Sequence, residues 1–247
     1  MTRAAAAREL VLVRHGESVG NLAAAAAARA GADRLELATR DADTPLSDRG
    51  VEQARALGAW LGAGRPGDRP EVAWCSPYVR ARQTLEVALD AAGFDLPVRI
   101  DERLRDRELG ITDRLTTSGI ARLLPDEAAR RALLGKFYYR PLGGESWTDV
   151  ALRLRAVLAD LSRRDDGRRV LVVTHDAVVA LVRYVLEELT EQDLFALIQR
   201  GSVRNASVSL MAYGEGTWTT RLFDDVTHLA ALDAPVTEHE GTDARGR

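Results

Sequence analysis

The chain has 247 residues, 34 of them basic and 37 acidic, for a net charge of −3. That length suits one large α/β domain, and the near balance of charge without a basic block excludes nucleic acid as the main partner. No apolar run reaches the roughly 18 residues of a membrane-spanning helix, and the single cysteine, Cys75, allows no internal disulfide, so a reducing cytoplasm is expected.

The first strand is expected over Glu9–Arg14, a leucine and valine run that stops at Arg14-His15-Gly16. It is too short, and too soon followed by charge, for a signal-peptide core. Ser18 is the N-cap of a helix that runs through the alanines Ala23–Ala28 to Gly31. A polar loop over Thr39–Ser47 follows, and Ser47 and Asp48 open a helix with Val51, Ala54, Leu57 and Leu61 on one face. Gly64–Pro70 is a surface connection, Glu71–Cys75 a second strand, Tyr78–Ala92 a helix, and Pro97–Ile100 a third strand. A charged loop spans Asp101–Gly110. Residues 116–135 read as two short helices broken at Pro125, and Lys136–Glu145 as a loop. Ser146 caps a long amphipathic helix to Arg164, and Arg169–Thr174 is the most continuous apolar strand. Helices over Ala177–Glu188 and 191–198 precede two last strands, Ala206–Ala212 and Trp218–Phe223, joined by a glycine-containing turn. Residues 233–247 are polar and patternless, so a disordered tail is expected after a single domain over 1–232.

Strands alternating with helices imply βαβ units. The expected fold is therefore α/β: a three-layer α/β/α sandwich, its central sheet mostly parallel with helices on both faces and an antiparallel edge.

Four histidines occur, and His15 and His175 share a setting, each directly after an apolar strand and before a helix. A lone histidine is most often a hydrogen-bonded core or surface residue. Two at the carboxyl ends of strands in one open sheet can face a common crevice. Arg14 precedes His15, and Gly16 permits a tight turn, so guanidinium, imidazole and helix N–H groups converge on an anion site. Arg80 stands at a similar strand–helix junction, and Asn21, one turn into the first helix, offers an amide donor. The chain's one lysine is Lys136, so an anion site here is built from arginine.

These residues resemble the histidine phosphatase superfamily, the phosphoglycerate mutase-like proteins. The resemblance rests on Leu12-Val13-Arg14-His15-Gly16-Glu17-Ser18, then Thr44-Pro45-Leu46-Ser47 with Gly50, then Cys75-Ser76-Pro77-Tyr78-Val79-Arg80-Ala81-Arg82-Gln83-Thr84. It continues with Gly143-Gly144-Glu145-Ser146 and Val172-Val173-Thr174-His175, all in the family's order over residues 9 to 212. It implies a small phosphorylated substrate, no cofactor, and a phosphohistidine intermediate on His15. Arg14, Arg80 and His175 would hold the phosphoryl oxygens, with Asn21 as a further donor, and His175 would be protonated or donate a hydrogen bond.

Where the family places a glutamate four residues before a glycine, Gly110 fixes the position as Asp106, one methylene shorter. Glu108 has the longer arm and is the second candidate for proton donor. Both alternate with Arg103, Arg105 and Arg107, which are candidate ion-pair partners. Asp176 stands where the family commonly has glycine, and is read here as a helix N-cap. The cluster Lys136-Phe137-Tyr138-Tyr139-Arg140, at the end of a helical insertion over about 111–142, is either a specificity wall or a packed lid. The segment Leu22–Asp43 is long for the spacing of these motifs and is expected to shape the pocket entrance. His175-Asp176 alone is too little for a metal centre, and no dinucleotide or Walker motif occurs. The expected activity is metal-independent phosphomonoester hydrolysis; the alternatives are a phosphoglycerate mutase-type phosphotransferase and a catalytically weak phosphate-binding protein.

Overall fold

The computed structural model describes residues 6–238. Six strands form one sheet: β1 (Glu9–Arg14), β2 (Val72–Cys75), β3 (Val98–Ile100), β4 (Arg169–Thr174), β5 (Val208–Gly214) and β6 (Thr217–Asp225), in spatial order β3-β2-β4-β1-β5-β6. The first four run parallel, and β5 and β6 form the antiparallel edge expected from the sequence. Alternation along β1 decides which layer each side chain joins. Leu10 and Leu12 pack with β4 residues Val170 and Val172 against helices α6 (Trp147–Arg164) and α7 (Asp176–Leu186). Val11 and Val13 face the other way, with Leu171 and Val173, toward helices α2 (Asp48–Ala63) and α3 (Val79–Ala92). Every one of these strand side chains is at most 2% exposed, and burial of such a side chain contributes roughly 1.5–3 kcal/mol. This three-layer packing holds the carboxyl edge of the sheet rigid.

The first helix, α1 (Val19–Ala30), starts on a Ser18 capping box with Asn21 and ends on Gly31 at φ 60°. The insertion holds α4 (Thr117–Leu123) and α5 (Pro125–Tyr138). Helix α5 is interrupted at Gly135 but resumes for one more turn, past the expected boundary, because Phe137 packs edge-on against Tyr184 and Phe195. The base of the insertion is pinched shut. A Cβ on Gly110 would lie 2.2 Å from the Leu142 carbonyl oxygen and 2.6 Å from the Gly144 nitrogen, so only glycine fits there. The remaining helices are α8 (Glu191–Ile198), at the expected place, and a single turn, α9 (Thr227–Ala230), too short to show a periodic pattern.

The expectation of a disordered tail from 233 fails for its first residues. Gln53 Nε2 donates to the Pro235 carbonyl and to Thr237 Oγ1, both at 2.8 Å, and the Asn205 N–H donates to the Thr237 carbonyl at 3.1 Å. The segment is held by polar contacts, which hydrophobic periodicity does not register. Residues from 239, His239 included, lie outside the described residues.

Candidate active site

Register brings the site together. In the parallel pair β1·β4, Arg14 lies opposite Thr174, so His15 and His175 leave the sheet side by side. The His15 N–H donates to the Thr174 carbonyl at 2.9 Å, and the two rings meet edge to face, centroids 5.1 Å apart. On the other flank of β4, Cys75 of β2 pairs with Val173, which sets Ser76 and the start of α3 beside His175. Arg80 is the second residue of α3. Three strand ends thus supply the four groups singled out in the sequence.

The neighbouring motif residues brace this edge. A Cβ on Gly50 would lie 2.0 Å from the Glu17 carbonyl oxygen, so α2 can press against the turn after His15. Glu17 is fully buried, its N–H donating to Gln53 Oε1 at 2.8 Å and its carboxylate accepting from Ser47 Oγ at 2.7 Å. Thr84 Oγ1 accepts from the Gly16 N–H and donates to the Arg80 carbonyl, tying α3 to the same turn.

His15 Nδ1 lies 2.6 Å from the Gly16 carbonyl oxygen. A carbonyl only accepts, so Nδ1 carries the proton and the Nε2 lone pair points away from it. Arg80 Nε donates to that Nε2 at 3.1 Å. Burial above all, then the charges of Arg80 and Arg14 and the proximity of His175, holds the His15 pKa well below 6.5, so the ring is neutral near pH 7. A neutral imidazole with a fixed tautomer, its Nε2 lone pair covered by a single Arg80 hydrogen bond that a phosphoryl oxygen can replace, is a competent nucleophile.

His175 is also fully buried. Its Nε2 pairs with Ser76 Oγ at 2.8 Å, and its Nδ1 has no hydrogen-bond partner, Asp106 Oδ2 being 3.4 Å away. Burial first, then Arg80, Arg153 and Arg14, lowers its pKa well below 6.5. Burial and the arginines thus favour the neutral ring that donates a hydrogen bond over the protonated one. With Ser76 Oγ donating to Nε2, the Nδ1 proton lies on the side of Asp106 Oδ2, 3.4 Å away.

Arg14 is buried and donates through Nη1 to the Val203 carbonyl. Asn21 lines the same pocket; its Oδ1 accepts from the Ser18 N–H and from Asn205 Nδ2, which leaves its amide nitrogen as the pocket-side donor. The two candidate acids separate. Asp106 Oδ2 accepts from Arg80 Nη2 at 3.2 Å and lines the pocket. Glu108 is not in its wall; Glu108 Oε1 accepts from the Tyr78 hydroxyl at 2.8 Å and faces Arg105 at 3.7 Å. Arg153 of α6 fixes the loop between them and the sheet, donating to the carbonyls of Arg103 and Asp106 and to Glu145.

Three residues that the sequence reading assigned no role belong to the site. Asp41, from the long segment after α1, grips the outer face of Arg80: Nη1 donates to its carbonyl at 2.6 Å and to Oδ1 at 3.0 Å, and Nη2 to Oδ2 at 3.1 Å. Asn205, fully buried, donates from Nδ2 to the His15 carbonyl at 3.1 Å. Ser76 was visible only as part of a motif, without a role. The reading of Asp176 as an N-cap is corrected: His175 occupies the cap position, and Asp176, first in α7, accepts the Val203 N–H at 3.0 Å and lines the pocket. Beyond the phosphate-sized end, the pocket is walled by Leu35, Leu37, Leu109, Trp147, Ala180, Ile198 and Phe223. Among the described residues no three His, Cys, Asp or Glu side chains group to hold a metal ion, and no helix is long and apolar enough to cross a membrane.

The chain belongs to the histidine phosphatase superfamily (branch 1), whose family model matches residues 10–226. It is 35% identical over 187 residues to a 2,3-bisphosphoglycerate-dependent phosphoglycerate mutase of Methylobacterium radiotolerans, covering 74% of this chain and 81% of that one. It is 26% identical over 224 residues to a metal-independent phosphoserine phosphatase of Arabidopsis thaliana, covering 91% and 84%. Among solved structures, a mycobacterial glucosyl-3-phosphoglycerate phosphatase superposes with a TM-score of 0.70 at 30% identity, over 89% of this chain and 99% of that one.

Proposed function

We propose that this member of the histidine phosphatase superfamily is a metal-independent phosphatase that hydrolyses a small phosphomonoester through a phosphohistidine on His15. The observation that carries the reading is the fixed tautomer: Nδ1–H bound to the Gly16 carbonyl and the Nε2 lone pair held toward Arg80, in a ring kept neutral by burial. Nε2 attacks phosphorus in line, a P–N bond forms, and the P–O bond to the alcohol breaks. Arg14, Arg80, Asn21 and the Nδ1–H of His175 hold the non-bridging oxygens and stabilise the charge they gain. Asp106, as the carboxylic acid, gives its proton to the departing alkoxide; as carboxylate it then takes a proton from the water that cleaves the P–N bond, releasing inorganic phosphate. A chain with one cysteine, which allows no internal disulfide, supports a reducing cytoplasmic location.

The test is hydrolysis of an aryl phosphate with chelator present, wild type against His15→Ala. Turnover that resists chelation and vanishes in the variant is expected; chelator-sensitive turnover, or turnover surviving in His15→Ala, overturns the reading. A phosphotransferase is the second reading, favoured by the identity to the bisphosphoglycerate-dependent mutase. It predicts isomerisation of phosphoglycerate that depends on added bisphosphoglycerate primer.

A further inference from the structure

Asp176 brings a carboxylate into the pocket wall at a position where the family commonly has glycine. It is the first residue of α7, directly after His175, and is only partly buried. Its Oδ1 accepts the Val203 N–H at 3.0 Å, and among the described residues no donor meets Oδ2. Oδ2 is not sealed in the interior, so it opens on the pocket that Asp176 lines. Adjacency to His175 and charge coupling to Arg14 put it beside the phosphoryl end, and Ala177 and Ala180 carry the wall outward from there. Burial raises the Asp176 pKa from the usual carboxylate range and Asp106 adds to the rise, while Arg14, the Val203 N–H and Lys136 act against it.

A carboxylate accepts hydrogen bonds on both oxygens, and an oxygen left without a donor when a ligand expels water costs binding. Arg14 and Lys136 already act on the charge of Asp176, so what Oδ2 lacks is a hydrogen-bond donor rather than another cation. We propose that Asp176 is a specificity-determining residue: Oδ2 accepts a hydrogen bond from a hydroxyl on the alcohol part of the substrate, which selects hydroxylated phosphomonoesters over plain alkyl ones. The proposal rests on the phosphatase reading, which places the phosphoryl group at His15. The same carboxylate braces the phosphate site, because Val203, whose N–H it holds, accepts Arg14 Nη1 at its carbonyl. Truncating Asp176 therefore weakens every phosphate ester, and only the ratio between matched esters reports the Oδ2 contact.

The test is binding to the full chain, read by tryptophan fluorescence on stopped-flow mixing before turnover intrudes; Trp147 lines the pocket. Two matched pairs are compared: glycerol 3-phosphate against propyl phosphate for a hydroxyl, and phosphoethanolamine against ethyl phosphate for an ammonium. Glycerol 3-phosphate is expected to bind the wild type about tenfold or more tightly than propyl phosphate, and Asp176→Ala to bring that ratio within about twofold of one. Should the alanine variant not fold, Asp176→Asn, which keeps an acceptor for Val203 and a weaker neutral pairing for the hydroxyl, is expected to cut the ratio about threefold or more. A wild-type hydroxyl ratio near one, an ammonium ratio above the hydroxyl ratio, undetectable binding of all four ligands, or a hydroxyl ratio that survives Asp176→Ala because both esters weaken alike overturns the proposal. Failure of the phosphatase reading shows separately, as hydroxyl-selective binding without chelator-resistant hydrolysis.

Discussion

Replacing Asp106 by Asn should abolish most turnover of an alkyl phosphate while largely sparing the first step on an aryl one. Asp106 lines the pocket with Oδ2 3.2 Å from Arg80 Nη2 and 3.4 Å from His175 Nδ1, so its carboxyl borders the proposed phosphoryl site. A positioned general acid contributes typically 10²–10⁴-fold, about 3–5 kcal/mol at the transition state. Loss of the Arg80 pair adds at most about 1 kcal/mol, since the Asp106 side chain is 30% exposed and solvent screens it. An acidic phenol leaves as its anion and needs no proton, so the acid term drops out of the phosphorylation step. Rapid-quench measurement of the first turnover separates the two cases. Asp106→Asn is expected to slow phosphorylation by an alkyl ester about 10²–10⁴-fold and by an aryl ester less than about tenfold. Glu108→Gln, which leaves the Tyr78 hydroxyl an oxygen to bond, should stay within about threefold on both. If Asp106→Asn keeps its first-turnover rate on the alkyl ester, or Glu108→Gln loses as much, Asp106 is not the acid.

Asp41→Asn is expected to tighten inhibition by inorganic phosphate about fivefold, roughly 1 kcal/mol, because Asp41 holds both Nη atoms of Arg80 yet its side chain is 43% exposed and screened; weaker inhibition would mean that Asp41 orients Arg80 instead of competing with phosphate. Acid should destabilise the protein earlier than its carboxylates alone dictate. Both His15 and His175 have folded pKa values well below 6.5, so below that pH the unfolded chain binds protons the folded one refuses, and their contribution, intact above 6.5, falls as pH drops. At pH 5.5 the two together cost about 2.5 kcal/mol relative to pH 7, measurable by urea unfolding at both pH values, and the loss should shrink by about half in His15→Gln; an unfolding free energy indifferent to this interval would contradict neutral, buried rings.

Strand ends were the legible part of the sequence. A valine-rich run stopping at Arg14-His15-Gly16, and another at Thr174-His175, already marks two strand–helix junctions, and parallel pairing does the rest by setting Arg14 opposite Thr174. The choice between Asp106 and Glu108 was not legible, because it depends on the path of a loop pinned from far along the chain. Glu145 receives Arg105 and Arg153, and Gly110 packs on Gly144, so contacts across about forty residues turn Asp106 inward and leave Glu108 with Tyr78. Asp41 escaped for the same reason: nothing near it in sequence points to Arg80. Asp176 was misread because cap and first-turn acids look alike in sequence, whereas its actual partner, the Val203 N–H, lies 27 positions away. The segment to Glu238 carries no periodic apolar face, and its order comes from Gln53 and Asn205, two buried amides whose partners only the fold supplies.

Arg80 is where these separate contacts meet. One buried guanidinium gives Nε to the nucleophilic nitrogen of His15 and its two Nη atoms to Asp41 and Asp106. A buried charge of this kind must be fully hydrogen-bonded, or its desolvation would destabilise the sheet edge. The same partners are ones a phosphoryl group can replace. Its oxygens are better acceptors than a neutral imidazole, so Nε can leave His15 Nε2 as the phosphate arrives, which uncovers the lone pair only when there is phosphorus to attack. Asp106 keeps its place because Arg153 of α6 holds its carbonyl from behind, whereas Asp41 rides on a half-exposed turn whose carbonyl is held locally, by the Thr44 N–H, rather than from another helix. Of the two carboxylates on Arg80, the one braced from a helix is therefore suited to proton transfer, and the locally held one is suited to yield.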